Sequence, residues 1–389
     1  MKFNHKIVSL EPSKSVSLMS KVKEMQKTDA DVINVTGGDP DFPTPKPICE
    51  EVYRQLESGN THYVDGQGDL ELREAISEKL RRENHAVYSK EQILITPGGK
   101  YAVYVSVSAL LNEGDEVLWL APGWVSYPSI IESVGGIPVV VPLSYESQYQ
   151  LDYEQLENLT TDRTKLLIIN YPNNPTGKIL IEEDLQVLHR YLKNHPDVWV
   201  LSDEIYEKII YDNHEYKSIS AYPDVVERCI VINGFSKCSA MTGWRIGYLA
   251  CPTELMGTIM KLFAHTMSCT SGFVQKAAIT ALSCKEETDK MRAEYQQRRD
   301  FLIPAINEIA GLHCRIPEGA FYAWVLFDLP YTGEKIAAEL LEEVKVGAVP
   351  GDAYGEIKPC IRFSFAASME ELRKLVERLR IYMQKKADD

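Results

Sequence analysis

The apolar run Cys229-Ile-Val-Ile-Asn233 leads straight into Gly234-Phe-Ser236-Lys237, so a primary amine follows a buried-looking stretch beside a glycine. An ammonium there is hard to bury unless it is paired or used covalently, and a neutral amine in the same place can condense with a carbonyl. A lone lysine after a strand is otherwise a solvated surface residue, and its company is what alters the reading. Ser202-Asp203-Glu204-Ile205-Tyr206 sets a carboxylate and, one turn on, a phenol after a second apolar run. Asp203 there can keep a ring nitrogen protonated and Tyr206 can reach an oxygen of the same ring; taken singly they read as a helix N-cap and a residue at the core's rim. Asn174, in Asn170-Tyr-Pro-Asn-Asn174-Pro-Thr-Gly177, is either an amide donor held by prolines or part of a plain Asn-Pro turn.

A second group of residues suits anions. Thr96-Pro-Gly-Gly99-Lys100 precedes a helical pattern, which brings the amides of Gly99 and Lys100 to a helix N-terminus, where free donors and the dipole favour phosphate. Arg245 can add a guanidinium to the same anion. Trp124, in Ala121-Pro-Gly-Trp124-Val-Ser-Tyr127, offers a face for a planar ring or fills the core. Arg362, inside the apolar run Cys360-Ile-Arg362-Phe-Ser-Phe365, suits two-pronged recognition of a carboxylate or an ion pair between domains.

These residues need a frame. Short apolar runs at 116–120, 137–141, 165–169, 198–201, 229–233 and 244–250 alternate with helical patterns such as 99–111 and 182–194. That rhythm predicts right-handed crossovers and a mostly parallel, doubly wound α/β sheet, whose ligands bind beyond the carboxyl ends of the strands. Outside this block, 11–28, 70–83, 286–310 and 369–383 read as helices and 321–326 and 360–365 as strands, with a charged tail after Met383. The outer segments predict a smaller α+β domain, built from the N-terminal stretch and the last third, and a cleft between the two.

The chain has 389 residues, 44% of them hydrophobic, enough for more than one core. Its net charge of −14 argues against a nucleic-acid or anionic-membrane partner, while leaving room for a cationic pocket. No apolar run reaches membrane-spanning length and the start lacks a signal-peptide pattern, so a cytoplasmic protein is expected. The eight cysteines are scattered without a Cys-x-x-Cys pair and the eight histidines without His-Glu-x-x-His, so neither disulfides nor a metal is expected.

In order, Asn-Pro-Thr-Gly, Ser-Asp-Glu-Ile-Tyr, Ser-Lys, Met-Thr-Gly-Trp-Arg-Ile-Gly-Tyr and Arg-Phe-Ser-Phe-Ala resemble the class I aminotransferases, the fold-type I pyridoxal-phosphate enzymes, and most of all their prokaryotic aspartate aminotransferase subgroup. The resemblance spans nearly the whole chain. It implies a seven-stranded sheet in a large domain at 46–285, with 1–45 joining a small domain at 286–389. It implies pyridoxal 5'-phosphate as cofactor, Lys237 as the Schiff-base lysine and proton shuttle, Asp203 on the ring nitrogen, Tyr206 and Asn174 on the ring oxygen, and Trp124 stacked on the ring. Gly99, Lys100, Ser236 and Arg245 would surround the phosphate, joined by Tyr63 from the partner subunit of a homodimer. Arg362 would clamp the substrate α-carboxylate, with Asn174 and the backbone of Gly38.

The implied reaction moves an amino group from aspartate or an aromatic amino acid to 2-oxoglutarate. The same residues would also serve elimination, cyclisation or oxidation of an amino acid, and a non-catalytic regulator is the reading from another class. Two stretches depart from the family pattern: Gly123, which would leave space beside Trp124, and Met267-Ser-Cys-Thr-Ser-Gly-Phe-Val-Gln275. Lys14 or Ser15 lies where relatives touch the substrate side chain, and either reads a distal carboxylate or simply starts a helix.

Overall fold

The computed structural model describes residues 3–12 and 14–388, with the backbone alone for residues 5, 14–16 and 388. Seven strands form the main sheet: β1 (Ile93–Thr96), β2 (Glu116–Ala121), β3 (Ile137–Pro142), β4 (Thr164–Asn170), β5 (Trp199–Asp203), β6 (Cys229–Gly234) and β7 (Gly247–Ala250). Their spatial order is β1-β7-β6-β5-β4-β2-β3, and β7 alone runs antiparallel to its neighbours.

Alternation explains how both faces are covered. Leu167 and Ile169 of β4 enter one apolar core with Leu118, Val200 and Val231, while Leu166 and Ile168 enter the opposite core with Val117, Leu201 and Ile230. Strands buried on both faces read as continuous apolar runs, which is why they stand out in the sequence. The helices show their own signals. Asp69 accepts the Leu72 amide at 3.2 Å to open Leu70–Glu83, whose Leu72, Ile76 and Leu80 are buried, and Glu182–Asn194 opens with three acidic residues at its positive end.

Two expectations need correcting here. The strand expected at 244–250 begins only at Gly247, because Arg245 adopts a left-handed φ of 54° that breaks extended backbone. The tail expected after Met383 is instead the end of helix Met369–Asp388, where Lys386 meets Glu339 and Glu343 at 3.0 Å each. Strand β1, only four residues long, was not anticipated from periodicity.

A four-stranded antiparallel sheet follows, ordered Val349–Pro350, Cys360–Ser364, Tyr322–Phe327, Leu312–Cys314, with the helices Lys285–Asn307, Gly333–Val344 and Met369–Asp388 sharing its core. The N-terminal stretch docks on it. Ile33–Asn34 pairs in parallel with Val346–Gly347, Arg298 grips Asp41 at 2.8 Å, and Val22 of helix Lys14–Thr28 packs with Val32 and Leu341. Gly347 permits that approach, since a Cβ there would lie 2.5 Å from the Val22 side chain.

Candidate active site

A cavity of about 480 Å³ opens beyond the carboxyl ends of the central strands. Gly99, Lys100, Trp124, Asn174, Asp203, Tyr206, Ser236, Lys237, Arg245, Gly38 and Arg362 all line it. Residues spread over more than three hundred positions thus converge because β2, β4, β5 and β6 all end on the same side.

Lys237 is half-buried and donates to the Gly38 carbonyl. Burial, aided by the nearby cations Arg362 and Arg245 and opposed by Asp39 and Asp203, pushes its amine down to about 8. Asp203 is buried at the end of β5, accepts the Tyr127 hydroxyl at 2.8 Å and the Ile205 amide at 3.3 Å, and is pushed by burial up to about 6 against the help of those donors. Asn170, at the end of the adjacent β4, steadies this corner. Its side chain donates to the Asp203 carbonyl at 2.9 Å and accepts the Asn174 amide at 3.0 Å.

The opposite wall is cationic. Arg362 is 4% exposed, donates through Nη1 to Asn174 Oδ1 at 3.0 Å and through Nη2 to the Thr36 carbonyl at 2.6 Å, and lies 4.2 Å over the Tyr322 ring. Among the described residues its Nε has no partner and no carboxylate pairs with its guanidinium. A guanidinium arranged this way needs an anion from outside the chain. Tyr322 also meets the Tyr206 hydroxyl at 2.7 Å, and burial together with this neighbour lifts the Tyr206 phenol well above its ordinary range.

The anion corner lies after β1. Helix Gly99–Leu110 starts at Gly98, whose φ of 92° requires glycine, and a Cβ there would strike Arg245 Nη2 at 2.7 Å. Arg245 is exposed and held by the Thr242 and Pro97 carbonyls at 2.8 and 3.3 Å. Lys100 sits 5.0 Å over the half-buried Trp124 ring, and partial burial with Arg245 nearby keeps its ammonium below the usual range.

Tyr63 does not reach this cavity; it is 90% exposed on the surface. The Ser15 side chain, like that of Lys14, lies outside the described residues. Gly123 does not open space beside Trp124: a Cβ there would lie 2.2 Å from the Leu120 carbonyl and 3.2 Å from Trp119, so the glycine serves close packing. The sequence reading missed Tyr127 and Tyr322. Tyr127 stands one turn after Trp124, a spacing that could have suggested a shared face, but nothing local marks Tyr322 as the partner of Tyr206.

Residues 30–379 match the family described as aminotransferase class I and II. The chain is 38% identical to the aspartate aminotransferase of Musicola paradisiaca, over 92% of this chain and 91% of that one. It is 37% identical to a bifunctional aspartate aminotransferase and glutamate/aspartate-prephenate aminotransferase of Petunia hybrida, over 96% of this chain and 81% of that one. Among solved structures, the aspartate aminotransferase from Thermus thermophilus with maleate superposes with a TM-score of 0.93 at 35% identity, covering 98% of this chain and 99% of its own.

Proposed function

Because the chain belongs to the class I and II aminotransferases and is a pyridoxal-phosphate-dependent enzyme, we propose that it moves the amino group of L-aspartate, or of an aromatic amino acid, to 2-oxoglutarate in ping-pong order. The observation that carries this reading is one cavity holding a lysine amine lowered to about 8, a buried acid and an unneutralised arginine. The names of the relatives support amino transfer and do not favour elimination, cyclisation or oxidation.

The donor set fits pyridoxal phosphate. When bound, it supplies a carbonyl that takes up an amine and a cationic ring that draws electrons from the adjoining carbon. Lys237 Nζ offers the amine and, once free, accepts the proton leaving the substrate Cα. Asp203, anionic above pH 6, keeps a ring nitrogen protonated, and Tyr127 steadies that charge. Tyr206 and Asn174 donate to the ring oxygen, Trp124 covers a ring face, and the amides of Gly99 and Lys100 with Ser236 and Arg245 hold the phosphate. Arg362 turns its free Nε and its forked nitrogens to the substrate α-carboxylate, beside Asn174 and the Gly38 backbone.

The same reading places Tyr63 in the partner's site of a homodimer, which its 90% exposure in the irregular stretch before helix Leu70–Glu83 supports. We divide the chain at 45 and 285, supported by the docking of Ile33–Asn34 on Val346–Gly347 and by helix Lys285–Asn307 beginning the smaller core. A cytoplasmic setting is supported by eight cysteines that are all free. Among the described residues no helix is long and apolar enough to cross a membrane.

The test is the absorption spectrum of the protein loaded with pyridoxal phosphate, taken with L-aspartate, then an aromatic amino acid, then L-arginine. Conversion to the aminated cofactor, reversed by 2-oxoglutarate, is expected with the first or second. No conversion with any donor would overturn the reading.

A further inference from the structure

Residues 38–44 are stitched to the loop that carries Lys237. Lys237 donates to the Gly38 carbonyl, the Thr242 hydroxyl to Asp39 Oδ1 at 2.5 Å, the Thr44 hydroxyl to the Ala240 carbonyl at 2.7 Å, and the Trp244 indole to Thr44 Oγ1 at 2.9 Å. Just beyond, Arg298 grips Asp41 at 2.8 Å. Bonds between positions 196 to 203 apart thus hold the Asp39 backbone and one oxygen of its carboxylate in place beside the lysine loop.

Asp39 is the carboxylate that the roles proposed above leave unused. Among the described residues it and Asp203 are the two that line the cavity, and Asp203 is engaged by Tyr127 and the Ile205 amide and turned to a ring nitrogen. Asp39 has no ion-pair partner among the described residues, and its second oxygen accepts no hydrogen bond there. Lys237 is faced by Asp39 from the N-terminal segment, by Asp203 and Tyr206 after β5, by Arg245 on its own loop and by Arg362 of the small sheet. Lys23, Lys100 and Tyr322 line the same cavity. Burial works against the Lys237 ammonium, and among the surrounding charges Asp39 does most to hold its proton, against Arg362 and Arg245.

We propose that Asp39 is a positioning residue for Lys237, its fixed carboxylate steadying the ammonium that Lys237 becomes when it takes the substrate Cα proton. The inference rests on the proton-shuttle reading of Lys237 and deepens it. In that step the Cα–H bond breaks, an N–H bond forms at Nζ, and the electron pair left on carbon is drawn toward the bound cofactor. A carboxylate facing Nζ favours the N–H form, so it strengthens the base for proton removal. By the same sign it keeps more of the free lysine as ammonium, which cannot attack a carbonyl. One charge therefore has two opposed effects, a pair that mere loss of packing would not produce.

The experiment compares the parent with Asp39→Asn, whose amide oxygen can still accept the Thr242 hydroxyl, and with Asp39→Glu, which keeps the charge. The full chain freed of cofactor is given trace acetic anhydride, which acylates neutral amines, and the Lys237 peptide is read by mass. At about pH 7, Asp39→Asn is expected to label about two- to threefold faster than the parent. The gain should vanish at about pH 9.5, where the amine of both is neutral, and shrink in about 1 M salt. The holoenzyme gives the opposite sign: at the higher pH, exchange of the Cα hydrogen of the donor that the parent converts for solvent deuterium should slow about two- to threefold in Asp39→Asn. Asp39→Glu should stay near the parent in both assays. Equal or slower labelling at the lower pH, a gain that persists at the higher pH, unslowed exchange, or Asp39→Glu matching Asp39→Asn would each overturn the proposal. A parent that exchanges no amino acid would instead sink the transaminase reading, and the labelling would still decide whether Asp39 governs the charge of Lys237.

Discussion

Lys237 and Asp203 depart from their ordinary protonation in ways that set the site's pH behaviour. With its amine near 8, Lys237 is mostly ammonium at neutral pH, and only the neutral form attacks a carbonyl. Covalent capture of pyridoxal phosphate by the apoprotein should therefore quicken by about tenfold per pH unit up to pH 8 and level off above it, as stopped-flow absorbance would show. Lys237→Ala should abolish both the attached-cofactor absorbance and amino transfer; retained turnover would contradict its role. Asp203 shifts the other way. Its folded value near 6 exceeds the ordinary 3.8, so its stabilising, protonated form is complete below about pH 4 and lost as pH rises through 6. Asp203→Asn should make the apoprotein about 1–3 kcal/mol more stable at pH 8, a gain that vanishes near pH 4 in urea titrations, while lowering amino transfer about 10²-fold or more.

At the scale of elements, the loop from β1 into helix Gly99–Leu110 is the least tolerant join. Gly98 combines a φ of 92° with the close approach of Arg245, so Gly98→Ala should strain the turn by about 1–3 kcal/mol and push the guanidinium aside. Equilibrium dialysis should show a weaker grip on pyridoxal phosphate than the parent has, and a parent-like affinity would remove Arg245 from the phosphate site. The sheet strands were legible because two-sided burial leaves continuous apolar runs, and the helix Leu70–Glu83 because its cap and spacing agree. Strand β1 was not, being too short for any period to register, and the 244–246 turn was hidden because a left-handed arginine leaves no mark in composition.

For the whole molecule, the arrangement of Tyr63 makes a prediction that only an assembly can meet. If each site borrows Tyr63 from its partner, chains carrying Tyr63→Phe and chains carrying Lys237→Ala should each be impaired alone at limiting cofactor. Mixed after reversible unfolding, a hybrid dimer would contain one site with both residues intact, and activity should return. Absence of recovery in hybrids verified by mass would place Tyr63 within its own chain's site or outside any site.

The sequence by itself determined the chemistry on offer: an amine after glycine, an acid and a phenol one turn apart, a glycine-led helix start and an arginine within an apolar strand, in an order that also points to the family. Those signals are local, set by residue type and short spacing. Only the tertiary structure decided which side chains share a space. Tyr127 donates to Asp203 across 76 positions and Tyr322 meets Tyr206 across 116, separations over which no periodicity carries information.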